Sequence, residues 1–195
     1  MNTRTDIIQG SDEWKAVRMG RLTASHAETV AVAAKGLETY VYGLMADKHS
    51  AGTTDAYTSE AMQHGIDTES DARAIYELET GNAVKEIGFI EVGEHVGCSP
   101  DGLVGDDGLL EIKCPKEAEH LRTFITENIQ SKYVWQMQMQ MLLTERKWCD
   151  FVSFNPNLKQ SLVVLRIEAD EQAHNKLRAG IEKGIELIKE IESKI

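Results

Sequence analysis

The chain has 195 residues, 42% of them hydrophobic and 27% charged, with a formal net charge of −11. That length holds one domain with a real core, 1–195, and the composition is that of a soluble globular protein; no apolar run nears the ~20 residues of a bilayer crossing, which excludes a membrane-spanning helix. The acidic balance argues against a nucleic-acid partner without settling it, because such a chain can bind nucleic acid by concentrating basic residues locally or by using metal ions to offset phosphate charge.

In chain order, the start MNTRTDIIQGSDEW lacks the apolar core of a signal peptide, and a cytoplasmic protein is expected. Ser11 is placed to cap a short helix through Met19 that Gly20 stops, and Thr23 or Ser25 to cap a second ending near Gly36; a third runs from Leu37 to His49. Ser59 to Thr80 has a strong helical pattern, with apolar Met62, Ile66, Ala72, Ile75 and Tyr76, weakened at Gly65 and closed by Gly81. The period then changes, and Val84 to Val92, His95 to Cys98 and Leu109 to Cys114 read as three strands of a meander. Glu117 to Glu127 and Lys132 to Leu143 return to helix, Trp148 to Phe154 and Leu162 to Ile167 to strand, and Asp170 caps a long terminal helix. This order predicts a mixed α+β fold, a mixed sheet with helices on its faces.

The most informative stretch is Ser99-Pro100-Asp101-Gly102 followed by Glu111-Ile112-Lys113-Cys114-Pro115. Alternate strand residues share a face, so Glu111 and Lys113 point together while Ile112 points into the core. With Asp101 this brings two acids and one amine together. Hard cations such as Mg²⁺ need such carboxylates, and a lysine beside them can hold a water or steady charge on a phosphate under attack. The same residues also fit a turn followed by a solvated strand face. A calcium loop from Asp101 to Glu111 fails, because Leu103 and Gly105 stand where oxygen ligands belong. Cys98, Cys114 and Cys149 lack metal or disulfide spacing and read as small buried hydrophobes.

Basic residues recur near this motif and the amino terminus: Lys15, Arg18, Arg21, Lys113, Lys116, Arg122 and Lys132. In the helix from Lys132, Gln136, Gln138 and Gln140 alternate with Met137, Met139 and Met141; the pattern reads first as an amphipathic helix with methionine filler, in which one glutamine can face the site. Glu69, amid Asp67, Asp71 and Glu77, reads as one solvated acid among several.

Five blocks, RMGRLTASHAETV, HGIDTESDARAIYE, CSPDG, LEIKCP and KYVWQMQ, stand in an order and at spacings that resemble the phage lambda-type exonucleases, also called YqaJ-like viral recombinase nucleases, over Trp14 to Asn155. The resemblance implies a restriction-endonuclease-like core, a mixed central sheet flanked by helices, with a PD-(D/E)xK site that digests one strand of linear duplex DNA from its 5′ end and leaves a 3′ single-stranded tail. It implies two Mg²⁺ ions, with Mn²⁺ as substitute: Asp101 touching both, Glu111 and the Ile112 carbonyl completing the tighter site, Glu69 supporting the second, Lys113 holding the attacking water and Gln136 near the scissile phosphate. Arg18, Ser25 and Ser99 match a 5′-phosphate pocket, and Trp14 an aromatic near the DNA end. It further implies a homotrimer ring around DNA and a single-strand annealing protein as partner in phage recombination. An endonuclease or resolvase with the same metal site, or a non-catalytic DNA-end module, are the alternatives. The chain is shorter than some relatives around Ala51 to Tyr57 and at the carboxyl end, and Glu94, Asp106 and Asp107 place acid near the catalytic strands.

Overall fold

The computed structural model describes residues 1–50 and 60–195, with the backbone alone over 60–67. The chain forms β1 (Asn2–Arg4), α1 (Asp12–Arg18), β2 (Leu22–Thr23), a 3-10 turn (Ala24–His26), α2 (Ala27–Val32), α3 (Lys35–His49), α4 (Glu60–Thr80), β3 (Val84–Lys85), β4 (Phe89–Val92), β5 (Val96–Cys98), β6 (Gly102–Val104), β7 (Gly108–Lys113), α5 (Glu117–Thr126), α6 (Ser131–Thr144), β8 (Trp148–Phe154), β9 (Leu162–Glu168) and α7 (Glu171–Glu192). Ser11 accepts from the Trp14 amide to start α1, and Asp170 accepts from the Gln172 amide to start α7, as their side chains predict.

The strands form two sheets rather than the one expected. A four-stranded sheet runs β1-β4-β5-β2 and a five-stranded sheet β3-β6-β7-β8-β9, mixed because β7 and β8 are parallel while its other pairs are antiparallel. The predicted strand Val84 to Val92 is broken between them: β3 joins the larger sheet and β4 the smaller. The cause is a close approach at Gly88, where a Cβ would stand 2.2 Å from the Ile7 carbonyl oxygen as the amino-terminal segment crosses. The expected meander becomes two hairpins, β4-β5 and β6-β7, with Ser99–Asp101 as the crossing between the sheets.

The second expected helix is also divided. Thr23 precedes the 3-10 turn without a side-chain cap, and α2 ends at Ala33 in the left-handed region, so the chain turns before Lys35. The apolar positions Met62 and Ile66 lie outside the described side chains, as do Ser59 and the stretch Ala51 to Tyr57 outside the described residues, while α4 runs through Gly65.

α6 lies between two cores. Met137 and Met141, one turn apart, pack with Leu109, Cys149 and Phe151, whereas Met139 joins Leu22, Val30, Leu37 and Leu177. On the other face of the large sheet, Ala72 and Tyr76 of α4 pack on Leu110, Ile112 and Val152. Tyr76 donates to Asp150 at 2.7 Å, and Arg166 grips the same carboxylate at 2.8 and 2.9 Å, so α4 is held to the middle of β8 by a buried polar link as well as by apolar area. α7 packs against α2 so closely that a Cβ on Gly180 would meet the Val30 carbonyl oxygen at 1.9 Å. No helix among the described residues is long and apolar enough to cross a membrane.

Candidate active site

β7, Gly-Leu-Leu-Glu-Ile-Lys, is flanked by β6 and β8, and alternation sends Leu110 and Ile112 into the core under α4 while Leu109 faces α6. Glu111 follows the Leu109 face and is fully buried, 0% exposed, where an apolar residue would be cheaper. Three donors satisfy it. Lys113 Nζ and Gln136 Nε2, the latter at 2.6 Å, reach Oε1, and Gln140 Nε2 reaches Oε2 at 2.7 Å.

Asp101 is latched to the same strand. Its amide donates to the Leu110 carbonyl at 3.0 Å, and its Oδ2 accepts from the Ile112 amide at 2.6 Å, taking a position that β6 stops short of filling. The structure therefore brings Asp101, Glu111 and Lys113 together at the carboxyl end of β7. Gln9 fixes the approach to this point, because its Nε2 donates to both the Ile87 and Pro100 carbonyls at 3.0 Å.

The cluster is short of positive charge. Burial, and then the neighbouring Glu111 and Glu69 charges, push the Asp101 carboxyl well above the usual carboxylate range against the pull of Lys113. Burial also raises Glu69, with Arg73 and Lys113 opposing and Glu111 and Glu86 adding to the shift. For Lys113 burial favours the neutral amine, but Glu111 and Asp101 outweigh it and hold the ammonium above the ordinary lysine value. Glu69 is ion-paired with Arg73 at 2.7 Å, and Arg73 also reaches Glu86 at 2.9 Å, so Glu69 is a half-buried, partnered acid rather than a solvated one.

Among the described residues no three His, Cys, Asp or Glu side chains converge on one point. The donor set is thus the two carboxylates of Asp101 and Glu111, buried with excess negative charge. That set fits Mg²⁺, which takes one or two carboxylates and leaves its other positions to water and phosphate oxygens.

Across the Ser99–Asp101 loop lies a second group of polar side chains. Trp14 and Arg18 stand one turn apart on α1; the Trp14 indole donates to Ser99 Oγ at 2.9 Å, and the Arg18 guanidinium carbon lies 4.1 Å from the centre of the Trp14 ring. Arg18 donates to Ser25 Oγ at 3.3 Å, which also lies 3.0 Å from Thr23 Oγ1 and 3.3 Å from His26 Nδ1, and His26 stacks on Tyr40 with centroids 4.2 Å apart. Burial lowers the Arg18 pKa, and among the described residues no carboxylate pairs with it. A half-buried guanidinium beside hydroxyls is a ready anion site.

Trp14, Arg18, Ser25 and Ser99 are thus brought into one group, and Asp101, Glu111, Lys113, Ile112 and Gln136 into another, with Glu69 at the latter's edge. Of the other basic residues, Arg21 is spent on Glu91 at 2.8 Å and Lys15 on Asp12 at 3.0 Å. Cys98 and Cys149 are buried thiols and Cys114 is half-buried. Arg73 and Gln9 are not singled out from the sequence, and Gln140 stands there only as one of three alternating glutamines of which one is expected to face the site; in the structure two of them, Gln136 and Gln140, reach Glu111. Gln140 and Arg73 each lie four residues after a named site residue, on the same helical face, and that spacing is the signal that finds them.

The profile of the YqaJ-like viral recombinase domain matches residues 13–147. Among solved structures, an alkaline exonuclease (LHK-Exo) from Laribacter hongkongensis is 36% identical, with 94% of this chain and 97% of that one covered at a TM-score of 0.80. LHK-Exo in complex with dAMP is 38% identical, with 94% and 95% covered and a TM-score of 0.84. A phage-related exonuclease from Haemophilus somnus 129PT is 14% identical over 89% and 96% of the chains at a TM-score of 0.66, a likeness of fold alone. No curated protein matches the chain. The profile match over most of the chain, with more than a third of residues shared with LHK-Exo along nearly its whole length, shows that the protein belongs to the YqaJ-like viral recombinase family and is built as a DNA exonuclease of the recombination type.

Proposed function

We propose that the protein is a Mg²⁺-dependent 5′-to-3′ exonuclease that digests one strand of linear duplex DNA and leaves a 3′ single-stranded tail. One observation carries this reading: the anion-seeking group Trp14, Arg18, Ser25 and Ser99 and the acid cluster of Asp101, Glu111 and Lys113 share the loop Ser99–Asp101. Two residues of extended chain span at most about 7 Å, comparable to the separation of adjacent phosphates along a strand. A terminal phosphate bound on the Ser99 side of that loop would leave the next phosphodiester on the Asp101 side, which fits removal of one nucleotide at a time. The dAMP complex of LHK-Exo, a mononucleotide held by a relative, supports the same product class.

In this reading Asp101, Glu111 and the Ile112 carbonyl hold the metal, and Glu69, restrained by Arg73, supports a second ion from the edge of the site. The ions supply the charge that activates water and neutralises the leaving 3′ oxygen. Lys113, kept as an ammonium by its acid neighbours, orients the attacking water and offsets charge on the phosphate. Gln136, which donates to Glu111, is assigned to the scissile phosphate beside that carboxylate. Arg18 and the hydroxyls of Ser25 and Ser99 bind the end, and Trp14 packs beside it. PD-(D/E)xK is the site pattern this describes, and Mn²⁺ is the expected substitute ion. The family membership extends the proposal to a homotrimer ring around DNA, a single-strand annealing partner and a cytoplasmic setting.

Linear duplex with a 5′-phosphate, linear duplex without one, and covalently closed circles, each with Mg²⁺, test the reading. Fast loss of the first, slower loss of the second and survival of circles are expected. Cleaved circles would replace the exonuclease with an endonuclease, and no cleavage at all would leave a DNA-end module. Sedimentation reporting a monomer at working concentration would remove the ring.

A further inference from the structure

We infer that Gln140 is a positioning residue that fixes which oxygen of Glu111 the site can use; this rests on the metal-dependent reading above. The two oxygens of Glu111 have different company. Oε1 takes Lys113 and Gln136, both partly exposed and facing the site, whereas among the described residues Oε2 is held by Gln140 Nε2 alone at 2.7 Å, with Gln140 itself 0% exposed. Sealing Oε2 sets the rotation of the carboxylate and turns Oε1 outward. The amide can take only one orientation there, since a flipped carboxamide would set its oxygen against the carboxylate.

Gln138, one step along α6, shows what a structural glutamine does in the same helix. It is equally buried, and both ends are bonded: Nε2 to the Glu168 carbonyl at 2.8 Å and Oε1 from the Asp170 amide at 2.9 Å, tying α6 to the corner before α7. Gln140 differs, because its Oε1 is buried with no hydrogen-bond partner among the described residues. An unpaired buried oxygen costs stability, and the fold tolerates it where the amide end has a task. Hydrogen bonds that orient a ligating carboxylate from behind set its metal affinity, and their loss typically weakens binding about 10- to 100-fold.

The test compares Gln140→Met, close in volume, with Gln138→Met as control, reading Mn²⁺ affinity by electron paramagnetic resonance alongside cleavage. Gln140→Met is expected to lose roughly 10- to 100-fold in Mn²⁺ affinity, to regain cleavage at raised metal concentration and to keep its KM for DNA. Gln138→Met is expected to lower the melting temperature and leave Mn²⁺ affinity unchanged. Should Gln140→Met fail to fold, Gln140→Asn, which keeps the amide but withdraws it by one methylene, must show weakened Mn²⁺ binding. Parental Mn²⁺ affinity in a folded Gln140 variant overturns the role of Gln140 while leaving the nuclease reading intact; a parent protein that binds no Mn²⁺ overturns both.

Discussion

At one end of the Ser99–Asp101 loop, Glu111 is sealed from solvent with both oxygens bonded, and Asp101 is latched to β7 by its amide and its carboxylate. At the other end Ser25 and His26 are exposed, and among the described residues Arg18 keeps one hydrogen bond, 3.3 Å to the Ser25 hydroxyl, and a stacking contact to Trp14. The first group has donors fixed before any substrate arrives, which on the proposed reading suits chemistry at a phosphorus centre; the second has a cation with donors unused among the described residues, which on the same reading suits capture of a variable DNA end. On that proposal rigidity belongs to the reacting centre and slack to the entry of the end.

Substitutions on the two sides should therefore fail differently. The largest effect belongs to the sealed side: Glu111→Gln should cut the cleavage rate by about a thousandfold with DNA binding kept, read by nuclease assay and by retention of DNA on filters. Parental turnover in that variant would break the distinction. On the open side, Arg18→Ala should cost roughly 10- to 100-fold in kcat/KM on 5′-phosphorylated ends, the value of a charge-assisted hydrogen bond, and little on unphosphorylated ends. Equal losses on both substrates would show that Arg18 is not reading the phosphate.

Two further measurements separate stability from chemistry. Tyr76→Phe removes one donor from buried Asp150 and should lower unfolding free energy by about 1.5 kcal/mol in a urea titration, with the slope unchanged, because Arg166 still holds the carboxylate. Asp101→Asn should have the smallest stability effect and the opposite sign. The Asp101 carboxyl is raised in the folded protein, so between the ordinary carboxylate range and its folded value the native state binds the proton more tightly than the unfolded chain, and stability falls as pH rises through that window. An uncharged Asn escapes this fall. In chelator the variant should melt about 2 °C or more above the parent at pH 8, with the gap closing toward pH 4. A gap that widens at low pH would reverse the sign of the burden at Asp101.

Most helices and the long strands were legible because their signals are local. Ser11 and Asp170 cap by their own side chains, Trp148 to Phe154 is a strand at its predicted bounds, and Glu111 and Lys113 share a face by simple alternation. The short strands β1, β2 and β6 were not legible, since two or three residues carry no period and their pairing depends on distant partners, as when Asn2–Arg4 meets Phe89–Glu91. The split of Val84 to Val92 was hidden for the same reason: what breaks it is Ile7, some eighty positions earlier. In the site, the acids and lysine stood out by type and spacing. Glu69 and Gln140 did not, because what distinguishes them is burial and the partner across the space, Arg73 for one and Glu111 for the other.

Gln9 carries a practical consequence. One side-chain amide staples the leading segment to two places at once, the strand boundary at Ile87 and the Pro100 peptide directly ahead of Asp101. The opening ten residues thus act as a brace on the peptide ahead of Asp101. Trimming them to tidy an expression clone, or straining them with a bulky fusion tag, should slacken Asp101 without touching any residue of the site itself.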